Sequence, residues 1–159
     1  MVTASKDPGQ LAWSLIDPHW DVLCKSWDRG AEAFVAEMQK VPLKVQHLFP
    51  AHWCESEVCN GGFHQFFYNS TGILAPEAAQ GYAAIGANEL STIVSEAMLY
   101  FGPTYPRERA DRLALLPAPL GRKREQWDPF SSFDSRFYEW LESEWNRLER
   151  LADAYAADA

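Results

Sequence analysis

The chain has 159 residues, a net charge of -8, 47% hydrophobic and 14% aromatic residues, and seven tryptophans. That length suits one domain burying about 70% of the surface its unfolded form exposes, and the apolar content excludes a disordered acidic tail. No stretch reaches the roughly 18 uninterrupted apolar residues a membrane span needs, the first eight residues lack the pattern of a secretory signal, and three cysteines (Cys24, Cys54, Cys59) are too few for a disulfide framework; the expectation is a cytoplasmic protein that does not enter membranes.

Helical periodicity runs almost throughout. Asp17 as N-cap and Pro18 in the first helical position introduce Trp20, Leu23, Cys24 and Trp27 at i, i+3, i+4, i+7, one apolar stripe in which Cys24 is core filler. Asp28 and Gly30 interrupt it. Ala31, Phe34, Val35 and Met38 then repeat the spacing until Pro42 ends or bends the run, so two short helices or one kinked helix fit equally. A helix containing Trp53 to Val58 is predicted to end at Cys59 or Asn60, because asparagine and glycine tolerate the left-handed conformation of a C-terminal cap. Gly61-Gly62 supplies a turn, after which Phe63, Phe66 and Phe67 at i, i+3, i+4 predict a short second helix with Gln65 and Asn69 sharing another face. The amides of Asn60, Gln65 and Asn69 are expected to satisfy backbone groups at this junction.

Further along, Pro76 and Glu77 start a helix that Gly86 terminates. Leu90, Ile93, Val94, Ala97, Met98 and Phe101 form the cleanest stripe and predict the central core helix, stopped by Gly102-Pro103. A shorter helix near residues 106 to 116 ends at Pro117 and Pro119, and a connection rich in proline, glycine and charge, read as a mobile loop, runs to about Pro129. From about Phe133 to Tyr155, Phe137, Leu141, Leu148, Ala152 and Tyr155, widened by Trp140, Trp145 and Leu151, predict one long C-terminal helix of roughly 30 Å. With no repeat and no linker, the expected fold is all-α, a single compact multi-helix domain over residues 1–159 with about six to eight helices and a long C-terminal helix.

Charge is unevenly distributed. Residues 45 to 106 carry five glutamates and no lysine or arginine, and residues 107 to 124 carry six bases, including Arg107, Arg109, Arg112 and Arg122-Lys123-Arg124, against two acids. Residues 125 to 159 carry nine acids against Arg136, Arg147 and Arg150. Glu139, Glu142, Glu144, Glu149 and Asp153 lie along the faces of the C-terminal segment and are the candidate acidic surface for a basic partner. Direct nucleic-acid binding is not expected of so acidic a chain, because such domains carry an overall positive bias.

The run Glu57-Val58-x-Asn60-Gly61-Gly62-Phe63-x-Gln65-x-Phe67-x-Asn69 resembles the signature of a family of bacterial all-helical domains of unknown function that includes a neisserial DNA-mimic protein. The resemblance continues through Ile85-Gly86-Ala87 and Phe133-Asp134-x-Arg136-Phe137-Tyr138, spanning about residues 50 to 150. It implies a compact α-helical fold, a homodimer, and an acidic surface that imitates duplex DNA and engages a helix-turn-helix transcription factor. The chain departs from the signature at Cys59, where asparagine is usual, and its basic interval breaks the unbroken negative charge that imitation of phosphates requires, one charge per about 1.7 Å of duplex axis. The expected function is therefore that of a non-enzymatic acidic interaction protein, in its finer form a DNA mimic, with an immunity-type binder that neutralises a toxin as the alternative.

Two chemical readings compete. Cys59, His64 and Glu57 include the residue types of a cysteine hydrolase, and the glycine pair offers backbone amides to an oxyanion. A cysteine at a helix C-terminus, however, lies where the dipole opposes thiolate formation, and His64 reads as a hydrogen-bonded residue near Tyr68. His52-x-Cys54-x4-Cys59-x4-His64 supplies four zinc-capable side chains at a spacing that fits none of the usual paired-ligand knuckles. No catalytic set, metal site or cofactor is expected.

Overall fold

A computed structural model describes residues 7–117 and 128–158. Among these the regular structure is helical, with no strand. The α-helices are α1 (Gln10–Ile16), α2 (Trp20–Ser26), α3 (Ala31–Met38), α4 (Leu43–Tyr68), α5 (Ala75–Ala84), α6 (Asn88–Met98), α7 (Arg109–Leu115), α8 (Ser131–Glu142) and α9 (Arg147–Ala157). Short 3-10 turns join several of them, including Asp17–His19, Trp27–Arg29 and Ser70–Leu74. The connection read as a mobile loop, with Arg122-Lys123-Arg124, falls almost wholly outside the described residues.

The central element is α4 rather than α6. Its buried residues, among them Val45, Leu48, Phe49, Cys54, Val58, Phe63, Phe66 and Phe67, lie around the whole helix, and α1, α5, α7, α8 and α9 all pack on it. A helix apolar on all sides belongs at the centre, whereas the clean stripe of Leu90, Ile93, Val94 and Ala97 marks α6 as a peripheral helix with one face in the core. Close packing of α4 on α5 depends on Gly81, where any side chain would strike the His47 carbonyl. Nearby, Tyr82 donates its hydroxyl to the Ala51 carbonyl at 2.9 Å.

The helix ends follow their local chemistry. After α5, Gly86 adopts φ 86°, its N–H bonds to the Ala83 carbonyl, and the Ala87 N–H reaches back to Tyr82 at 2.8 Å, a Schellman ending. Pro18 falls inside a 3-10 turn, so the helix expected from Asp17 begins instead at Trp20. The first helix, α1, has no counterpart in the sequence reading because its cap comes from the far end of the chain. Asp153 accepts from the Gly9 and Ala12 N–H groups at 2.8 and 2.9 Å.

The long C-terminal helix is replaced by two short ones. Asn146 takes left-handed angles (φ 47°, ψ 37°), and the chain turns between α8 and α9. Phe137, Trp140 and Leu148 still reach the core, but Trp145, expected in the buried stripe, lies at the turn and is 77% exposed. Asparagine tolerates this conformation better than most residues, so the break sits where its backbone cost is low.

Candidate functional site

The double-glycine junction is a break within α4. Gly61 (φ -156°, ψ 23°) and Gly62 (φ 73°, ψ 179°) leave helical geometry, and the helix resumes at Phe63. This agrees with the predicted turn and second helix, but the left-handed cap expected at Cys59 or Asn60 is absent, since helical geometry runs through both and the positive φ falls on Gly62, which explains the need for glycine. Its backbone lies in a region essentially closed to other residues, and a Cβ there would sit 2.5 Å from Asp134 Oδ2. At Gly61 a side chain would collide with Gln65.

A break in a helix orphans backbone groups on both sides, and α8 supplies partners for them. Asp134 accepts from the Phe63 N–H at 2.7 Å, and Tyr138 donates its hydroxyl to the Val58 carbonyl at 2.6 Å. These two residues lie four apart and so share one face of α8. The negative carboxylate also stands at the N-terminus of the resumed segment, where the helix dipole favours it. The backbone role expected of the amides therefore belongs to Asp134 and Tyr138.

Gln65 and Asn69 serve a carboxylate instead. Glu57 is 8% exposed, and its Oε2 accepts from Gln65 Nε2 at 2.8 Å and from Asn69 Nδ2 at 3.0 Å, while its Oε1 accepts from Thr71 Oγ1 at 2.7 Å. These bonds tie the first segment of α4 to the second and to the turn after it. Of the motif residues Glu57, Asn60, Gly61, Gly62, Phe63, Gln65 and Asn69, only Asn60 is exposed. Thr71 lies beyond the motif, and the sequence offered no periodic signal for it.

The C-terminus of α4 is held by the basic interval. Arg112, fully buried, donates from Nε to the Phe67 carbonyl at 2.8 Å and from a terminal nitrogen to the Asn69 carbonyl at 2.9 Å, with Arg107 and Pro106 carbonyls also in reach. Burial lowers its pKa. Arg109 donates to the Tyr68 carbonyl at 2.8 Å and lies over the Tyr68 ring. Arg107 forms a two-pronged pair with Glu77. Three of the six bases are thus engaged by carbonyls at the end of a helix, where cations are favoured, or by a carboxylate.

The residues of the two chemical readings are dispersed. Cys59 is an exposed residue, but partial burial of its thiol, followed by the charges of Glu55 and Glu149, pushes its pKa up to about 11, the reverse of what a thiolate nucleophile needs. His64 is buried, stacked on Tyr68, with Nε2 3.1 Å from the Pro117 carbonyl. Since a carbonyl only accepts, that nitrogen carries the proton and is not a free base. His52 lies among Trp13, Trp20 and Trp53, and burial lowers its pKa. Cys54 is fully buried. Among the described residues no three of His, Cys, Asp and Glu are grouped to hold a metal ion.

The five candidate surface carboxylates divide. Asp153 caps α1, Glu149 lines a small cleft against α1 and α4, and Glu144 pairs with Arg150 at 2.8 Å. Glu139 and Glu142 are exposed on α8 and make no ion pair among the described residues. Glu139 forms one wall of a groove of about 610 Å³ between α6 and α8, with Glu89 on the other. Arg136 and Arg147 also line this groove, the first paired with Glu96 and the second lying 4.4 Å from the centre of the Trp140 ring.

The geometry defines an all-helical domain whose central helix is broken at a double glycine and closed by a buried carboxylate and a crossing helix. Residues 39–158 match the family described as DMP19-like protein, and the chain belongs to that family, the one its double-glycine motif resembles. Comparison with curated proteins and with solved structures gave no match. No helix among the described residues is long and apolar enough to cross a membrane.

Proposed function

We propose that the chain is a non-enzymatic, cytoplasmic interaction protein that presents carboxylates to a basic protein surface. In its finer form it is a DNA mimic that occupies the DNA-binding face of a helix-turn-helix regulator. The observation that carries this reading is the groove between α6 and α8, where Glu89 on one wall, Glu139 on the other and Glu142 at the next turn form no ion pair among the described residues, while of the two arginines in the same lining Arg136 is paired with Glu96 and Arg147 lies against the Trp140 ring. Two carboxylate-bearing walls flanking a groove are the minimum a surface needs to resemble two phosphate rows.

Family membership and the withdrawal of Arg107, Arg109 and Arg112 into structural roles both support it. With Arg112 buried and Arg107 paired with Glu77, two of the six bases of that interval are taken up within the fold, and the arginines that remain beside the acids on α6 and α8 are Arg136 and Arg147. Pairing of two copies would pool their carboxylates, so a homodimer is part of the proposal, and sedimentation at micromolar concentration tests it.

The test of the function is capture of partners from the native host by the immobilised full chain at low and high salt, followed by competition with duplex DNA. A helix-turn-helix protein retained at low salt, released by salt and displaced by its own duplex is the expected result, because charge pairing at an exposed surface is screened beyond about 10 Å at 0.1 M salt. Retention that ignores salt, or a captured regulator that binds duplex and chain at once, contradicts it. Recovery of a basic toxin would favour the immunity-type binder instead.

A further inference from the structure

We propose that Trp145, at the corner between α8 and α9, is an aromatic platform for an arginine side chain of the basic partner. Trp145 is 77% exposed, whereas the five other tryptophans among the described residues are 40% exposed or less. A large ring left in water at a single point of an otherwise packed chain is the kind of residue that anchors an interface. The contact rests on the basic partner of the proposed function and names the side chain which that partner contributes.

The corner that carries the ring is well tied. Asn146, the one residue other than glycine with a positive φ among those described, sets the turn. Ser143 Oγ donates to the Trp140 carbonyl at 2.6 Å, and Arg147 donates to Ser143 Oγ at 3.2 Å while its guanidinium lies 4.4 Å from the centre of the Trp140 ring. Arg150 pairs with Glu144 at 2.8 Å. Both cations of the corner are thus engaged, and among the described residues the Trp145 ring meets neither a cation nor a second ring. The charge left beside it is acidic. Glu142 and Glu139, three and six positions earlier on α8, are exposed and form no ion pair among the described residues, and Ser143 and Arg147, two positions to either side of Trp145, line the groove between α6 and α8. Carboxylates draw basic side chains to this edge, and the face of an indole then holds a cation through its quadrupole. Arginine fits better than lysine, because a planar guanidinium stacks on the ring and keeps its N–H edge free for a carboxylate, whereas an ammonium is a strongly hydrated point charge. The fold already contains one such stack, Arg147 on Trp140.

The test is calorimetric titration of the full chain with deca-arginine and with deca-lysine at about 20 mM salt, where charge pairing is little screened. Saturable binding of both peptides is expected, with Trp145→Ala weakening deca-arginine about threefold or more and deca-lysine less. Trp145→Phe should keep part of the arginine affinity, and Trp145→Leu, which has apolar surface but no ring, should behave as Trp145→Ala. Unchanged arginine affinity in Trp145→Ala, equal losses for the two peptides, or full arginine affinity in Trp145→Leu overturns the proposal. The double variant Glu139→Gln/Glu142→Gln separates this contact from the acidic surface. A loss for both peptides in that variant, with none in Trp145→Ala, leaves the acidic surface standing and removes the platform. A loss of deca-arginine affinity in Trp145→Ala, with none in the double variant, keeps the platform and takes the two carboxylates out of partner binding. No saturable binding of either peptide by the wild-type chain overturns both.

Discussion

Glu57 is a carboxylate surrounded by three donors, and its removal acts on all of them. In Glu57→Ala the Gln65 and Asn69 amides and the Thr71 hydroxyl lose their acceptor in a largely buried setting. Hydrogen bonds to a charged group contribute about 1.5–3 kcal/mol, so urea denaturation should show a loss of about 3 kcal/mol or more. Thr71→Val, which removes one donor and keeps the shape, should cost about 1 kcal/mol. Equal effects of the two substitutions would show that the network is not centred on Glu57. Sequence made Glu57 visible only as part of a motif, with no sign that it is buried, because a lone glutamate on a helix is ordinarily solvated. The glycine pair was easier to read: two glycines after an asparagine have few uses besides a break.

At the scale of elements, the junction shows why some of the fold was legible and some was not. The second half of α4 could be anticipated from Phe63, Phe66 and Phe67, since its apolar spacing is local. The crossing of α8 could not, because Asp134 and Tyr138 act on backbone groups roughly 70 to 80 positions earlier in the chain. A still greater separation, 144 positions, hid α1, whose N-terminus depends on Asp153. Asn146 ended the long helix against a heptad-like stripe that ran through it: periodicity registers which faces are apolar and is nearly blind to one left-handed residue.

Two outcomes follow for these contacts. Tyr138→Phe should destabilise by about 1 kcal/mol through the orphaned Val58 carbonyl, and Asp134→Ala by about 2 kcal/mol through the lost charged acceptor at Phe63, with the far-UV helix signal nearly unchanged. Gly62→Ala should be worse than either, since it adds left-handed strain to a collision with Asp134. If Gly62→Ala were neutral in thermal melting, the broken geometry would not be the working conformation of α4.

For the molecule as a whole, and apart from the acids held in ion pairs such as Glu77 and Glu144, the net charge of -8 conceals three arrangements: acids buried with donors, acids at the α1–α4–α9 cleft, and acids on the outer surface of α6 and α8. The second makes stability depend on pH. A carboxyl whose pKa rises on folding binds its proton more tightly in the folded state, so its contribution is complete at low pH and is lost as pH rises from its ordinary 4.5 through about 7. Between those limits this group should lower stability by an amount on the order of 3 kcal/mol. Glu55→Gln should flatten that dependence and leave the protein more stable than wild type at about pH 8, as read from urea midpoints across pH. An unchanged pH profile in the variant would mean that Glu55 is solvated.

The third arrangement carries the proposed function and lies apart from the motif by which the family is recognised. The most direct measurement is the affinity of Glu139→Lys/Glu142→Lys for the regulator captured from the native host, made beside its thermal midpoint. Both residues are exposed and outside the network around Glu57. The prediction is a loss of affinity of about tenfold or more with an unchanged midpoint, since each reversed charge adds repulsion at a surface that bears little of the fold. Wild-type affinity in this variant would contradict the account and return the search for function to other surfaces of the molecule.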